Sequence, residues 1–162
     1  MKYLPQLLLA IATALTLGSC AATGGGGGAT GEAQLGPHSA QKFEMVHHLG
    51  RSSLDPNAVD TMALVLTVEQ KMNGNEQEVV AKASARKDGP HGNVQSAKGV
   101  QVRITEPGPA VTSQPHSQPG EVSVNKTFAA PGGKYKAVTA EATINNPDYT
   151  NGHVMLTIPG DQ

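Results

Sequence analysis

Few side chains in this sequence offer chemistry, and their spacing narrows it further. Cys20 is the one cysteine of the 162-residue chain, so no disulfide can form within it and any thiol chemistry belongs to that position. His47-His48 follows Met45, and His153-Val154-Met155 sets an imidazole and a thioether two residues apart. In a strand, that spacing puts His153 and Met155 on one face. Imidazole with thioether is a ligand set that favours copper, above all Cu(I). A copper site on His47, His48, His153 and Met155 requires the start of the domain to lie beside its last strand. Ser52, Ser53, His47, His48 and Asp55 supply the residue types of a nucleophile triad. A triad is defined by geometry, and none of these residues sits in a strand-turn-helix setting, so they read as solvated loop residues. No G-x-S-x-G elbow, H-E-x-x-H or phosphate loop is present, and the reading is of a protein that is not an enzyme.

The position of Cys20 says what its thiol is for. Lys2 gives a positive start, and an apolar run from Leu4 to Leu17 follows, broken by Pro5, Gln6 and two threonines. The run is too short for a bilayer span, which needs ~20 residues. A positive start, a short apolar stretch and small residues at its end read as a secretory signal. Leu17-Gly18-Ser19-Cys20 resembles the lipobox of bacterial lipoproteins. The resemblance implies a diacylglycerol on the Cys20 thiol and cleavage of residues 1–19, so that Cys20 becomes the first residue. It also implies a membrane held through lipid as partner. In the Gram-negative pattern an aspartate after the cysteine retains the protein at the inner membrane. Ala21 stands there instead, which for a Gram-negative source implies the outer membrane, facing the periplasm. A lipidated Cys20 leaves the mature chain without a thiol, so no thiolate metal site or cysteine nucleophile remains.

Composition sets further bounds. Losing residues 1–19 removes one lysine and leaves 11 basic against 13 acidic residues. That mild acidity argues against nucleic acid, which needs a basic face. The mature chain holds only Phe43, Phe128, Tyr135 and Tyr149 as aromatics, and no tryptophan. Stacking platforms for bases have almost no material. Residues 20–41 include five consecutive glycines, costly to order, and read as a flexible tether with a reach of roughly 25 Å.

The elements that must position these groups are strands. Thr61–Gln70 is apolar on both faces, as in a central strand, and the Asn73-Gly74 signal predicts a hairpin with Gln77–Arg86. Gly99–Glu106 alternates cleanly, with Val100, Val102 and Ile104 on one side. Pro107–Gly120 holds four prolines and reads as a loop at one end of the fold. Glu121–Phe128, Lys134–Ile144 and His153–Pro159 follow as strands, and Phe43–Leu49 as an opening edge strand. Ser53–Ala58 reads as a single helical turn. The expected core is Leu64, Leu66, Val68, Val80, Val100, Val102, Ile104, Val122, Val124, Val138, Val154, Leu156 and Ile158. Six or seven short strands with regular turn signals predict an all-β antiparallel sandwich over residues 42–162.

GVQVRITEPGP after a turn, and Pro131-Gly132-Gly133-Lys134-Tyr135-Lys136-Ala137, resemble stretches of bacterial immunoglobulin-like modules. The resemblance covers Thr61 to Pro159. It implies an immunoglobulin-like sandwich and, for Tyr135, a hydroxyl that bonds back to the main chain. The H-x-M pattern is similar to that of periplasmic copper chaperones, although Pro131 stands where that family has its upstream methionine. The functional expectation is a non-catalytic binding or scaffold module that meets an envelope protein partner through Pro107–Gly120 and Asn145–Gly152. Periplasmic copper binding is the alternative.

Overall fold

Alternating side chains need two surfaces, one wet and one dry, and the chain supplies both by stacking two sheets. The computed structural model describes residues 17–21, 29–32, 40–51, 62–87, 97–150 and 152–161. The strands are β1 (Leu17–Ala21), β2 (Ala29–Glu32), β3 (Gln41–His48), β4 (Gly50–Arg51), β5 (Met62–Asn73), β6 (Glu76–Lys87), β7 (Val100–Glu106), β8 (Val111–Thr112), β9 (Val122–Ala129), β10 (Val138–Ile144), β11 (Tyr149–Thr150) and β12 (His153–Ile158). One sheet runs β1-β3-β5-β6-β9, the other β2-β12-β10-β7-β8, and β11 pairs with β4 apart from both. β12 lies over β3 and β5, β10 over β5, and β7 over β6 and β9. The protein is an all-β sandwich.

Among the described residues the seven longest strands are the seven expected from periodicity, but the total of twelve there exceeds the expected six or seven. The added five have two to five residues each, too short for a period to show. Two of them lie outside the expected domain. β1 contains Leu17-Gly18-Ser19-Cys20 and pairs parallel to β3. β2 lies within the expected tether and pairs parallel to β12, satisfying main-chain groups that an open sheet edge leaves without partners. Lys134–Ala137, expected to open a strand, precedes β10 instead. Residues 1–16 of the expected signal, the glycine run, Ser52, Ser53, Asp55 and the expected Ser53–Ala58 turn lie outside the described residues. In antibody constant domains the second and third strands occupy opposite sheets. Here the β5–β6 hairpin stays within one sheet, so the likeness is one of architecture and not of strand order.

The core is contributed by both sheets. Leu64, Leu66 and Val68 of β5 share one buried cluster with Val102 and Ile104 of β7 and Leu156 and Ile158 of β12, all without solvent exposure. Every expected core residue is buried except Val80, which is half-buried on the outer face. The two-residue Gly74-Asn75 turn sets the β5–β6 register so that Ala81 meets Val68 and Val79 meets Gln70. That register turns the odd-numbered residues of β6 inward. Val79, with no exposure, takes the place expected for Val80.

A polar chain crosses one end of this core. Gln41, Gln70 and Gln77 point inward and are nearly fully buried. The Gln77 amide donates to Gln70 Oε1 at 2.9 Å, and that of Gln70 donates to Gln41 Oε1 at 2.9 Å. Gln77 Oε1 accepts from Lys136 N at 2.7 Å. Each amide thus has the partners that burial demands. The link also ties the first sheet to the segment before β10.

Tyr135 lies beside this network. Its hydroxyl meets the main chain of Met72, and Asp161 brackets its own backbone, donating to Tyr135 O at 2.8 Å and accepting from Tyr135 N at 2.9 Å. Burial, with the Asp161 charge adding to it, raises the phenol above its usual 10.0, while the Met72 contact opposes the shift. A raised folded-state value stabilises the fold below the unfolded value and is lost as pH climbs through the folded one. Stability is therefore expected to fall as pH rises past 10, and Tyr135→Phe should flatten that fall. Denaturant melts of both chains across alkaline pH check this.

Candidate functional site

Strand pairing carries three loops to one end of the sandwich, and a single glycine joins two of them. Gly99 N donates to His116 O at 2.9 Å, and Gly99 O accepts from Asn145 N at 3.0 Å. Asn146 adds a side-chain bond to Lys98 O. At φ 91° Gly99 sits in the left-handed region, and a Cβ there would lie 2.2 Å from Asn145 O. Both the conformation and the close approach require glycine. The Asn145–Gly152 loop is held a second time, because Tyr149 and Thr150 pair with Arg51 and Gly50. This brings the stretch after β3 beside the last loop.

Gly99→Ala should therefore cost about 2–4 kcal/mol, combining backbone strain with overpacking. Hydrogen exchange should show the loss concentrated at the amides of residue 99 and Asn145, which donate across the junction. Unchanged protection at both residues would mean that Gly99 does not join the loops.

Pro107–Gly120 differs from the expected end loop. It folds back along the edge of β7. Val111 pairs with Ile104 and Thr112 with Arg103. Beyond them Ser113 N donates to Val102 O and His116 N to Val100 O. Lys126 Nζ holds the other end through Pro107 O and Pro109 O. Four prolines prevented a strand assignment from sequence, since proline cannot donate in a ladder. The segment pairs through the non-proline residues between them.

The four proposed metal ligands are placed separately. His47 points inward from β3 and is 9% exposed, and His48 is exposed beside it. His153 and Met155 lie on the outer face of the second sheet, since Val154, Leu156 and Ile158 take the inner one. The body of β12 thus stands between His47 and the His153–Met155 pair. Among the described residues no three histidine, cysteine or acidic side chains gather as a metal site. His47 Nε2 is buried with no hydrogen-bond partner.

What His153 does contact is Glu141. His153 Nε2 donates to Glu141 Oε2 at 3.0 Å, and Arg103 Nε donates to Glu141 Oε1. Glu141 is 8% exposed, and each of its carboxylate oxygens has a donor, as a buried charge needs. Arg103 and Glu141 are opposite one another in the β7–β10 register. Sequence reading missed this trio because its members lie far apart along the chain. Alternation in β7 did place Arg103 outward, which was the available signal.

Neither described hollow has the size of a ligand cavity. One of about 250 Å³ lies between Lys42, Glu69 and Glu78, and one of about 220 Å³ between Gln101, Arg103 and Glu141. Small-molecule sites usually run ~300–1,000 Å³. Glu69 bridges Lys42 at 3.7 Å and Lys82 at 3.6 Å, exposed pairs that contribute ~0–1 kcal/mol. No protein-family model matches the chain, and searches of curated proteins and of solved structures found no similar chain.

Proposed function

We propose that this chain is a cell-envelope lipoprotein in which the sandwich is a non-catalytic, immunoglobulin-like binding or scaffold module. Residues 1–19 are the signal peptide and Cys20 carries the lipid. Ala21 after the cysteine supports an outer-membrane location facing the periplasm in a Gram-negative cell. The observation that carries the binding assignment is the junction at Gly99, where two exposed polar loops are tied to one another and to the sheet. Loops fixed on a rigid scaffold are the usual place for recognition. Arg103, Glu141 and His153 are engaged with one another, which supports a structural role for them.

Photo-crosslinkers placed at Gln114 and Asn146 in cells should both form adducts. The same group at Asn125, on the outer face of the first sheet, should form none. Stoichiometric Cu(I) binding that disappears on joint substitution of His153 and Met155 would replace this reading with that of a copper protein.

A further inference from the structure

The path of the chain before β3 bears on which way the domain faces. From Cys20 to Ala29 there are nine residue steps, which span at most roughly 30 Å even when fully extended. Ala29 does not lie at an arbitrary place. It pairs with Val154, the second residue of β12, next to the end that carries Gly99, His116 and Asn145–Gly152. By contrast, the Gly74-Asn75 turn is separated from the loop end by the length of β5, twelve residues or ~40 Å.

We propose that the end of the sandwich carrying Lys98-Gly99, His116 and Asn145–Gly152 faces the bilayer, and that these loops meet phospholipid head groups. The proposal rests on the lipid-anchor reading and adds the orientation and the partner surface. With lipid on Cys20, this end reaches the membrane with slack in the tether. Turning the Gly74 end to the membrane would draw the tether to its limit or strip β2 from β12. The chemistry of the face fits its position. Lys98, Gln114, His116, Gln118 and Asn145 are exposed, and Tyr149, the aromatic of this loop, is half-buried and packs against the core. Such a face hydrogen-bonds to phosphates and glycerol esters without inserting into the acyl layer.

The test uses the membrane-extracted mature chain in phosphatidylcholine vesicles containing a nickel-chelating lipid, with a nitroxide at K98C or N75C. Nickel at the head groups should relax the label at 98 several-fold more than the label at 75. Equal relaxation, or more at 75, would overturn the orientation while leaving the anchor intact. Thr30→Pro with Gly31→Pro, which removes two main-chain donors from β2, should narrow the difference. A difference that persists unchanged would overturn the role given to β2. A chain that is not retained on the vesicles at all would overturn the lipid reading itself.

Discussion

Leu66→Ala and Ile104→Ala should each cost about 2–5 kcal/mol of stability, the range for large aliphatic side chains cut back in a packed core. Both residues are wholly buried. Leu66 stands on β5, which has paired neighbours on both sides, and Ile104 stands on β7 of the opposite sheet. Each truncation removes a side chain from the layer where the sheets meet, and the strands on either side, held in their ladders, limit how far the gap can close. Domains of this kind are stable by ~5–15 kcal/mol in all, so either change should shift the denaturation midpoint strongly. Asn125→Ala, on an exposed position of β9, should stay within about 0.5 kcal/mol. Urea melts of the three variants check this. A loss below about 1 kcal/mol at Leu66 would mean that the sheets do not pack as described.

Cys20→Ser should abolish membrane attachment and leave the sandwich folded. Each methylene of a lipid chain contributes ~0.8 kcal/mol on insertion, so one chain binds marginally and two or more hold firmly. No other feature of the proposed mature chain supplies comparable affinity, since its charge is nearly balanced. In the structure Cys20 meets β3 through a main-chain ladder, which serine preserves. The variant is therefore expected in the soluble fraction with an unaltered melting curve. Attachment that persists in the variant would place the anchor elsewhere.

Strand periodicity made the seven principal strands legible because each has at least six residues, long enough for alternation to separate wet from dry. Phase was less secure where both neighbouring positions are apolar. Val79 and Val80 are adjacent valines, and only the hairpin register settles which one turns inward. Pairings between distant segments were not legible. Nothing in the letters of Ala29–Glu32 announces a partner on β12, and the Pro107–Gly120 ribbon is disguised by its prolines. The candidate site shows the same division. Sequence singled out His153 and placed it correctly on the outer face with Met155. It joined His153 to His47 and His48 in one arrangement, whereas the structure pairs it with Glu141, and Glu141 with Arg103. Sequence also named both loops, but their junction at Gly99 depends on β7 lying between β10 and the folded-back ribbon, which is a property of the sheet.

The central claim, that the chain matures to a lipid-anchored form beginning at Cys20, is tested most directly by the intact mass of the protein extracted from membranes. The account predicts a mass equal to residues 20–162 plus a diacylglycerol thioether on Cys20, with or without a further acyl chain on its amine. A chain that retains residues 1–19, or one that begins elsewhere with an unmodified thiol or none, would contradict it.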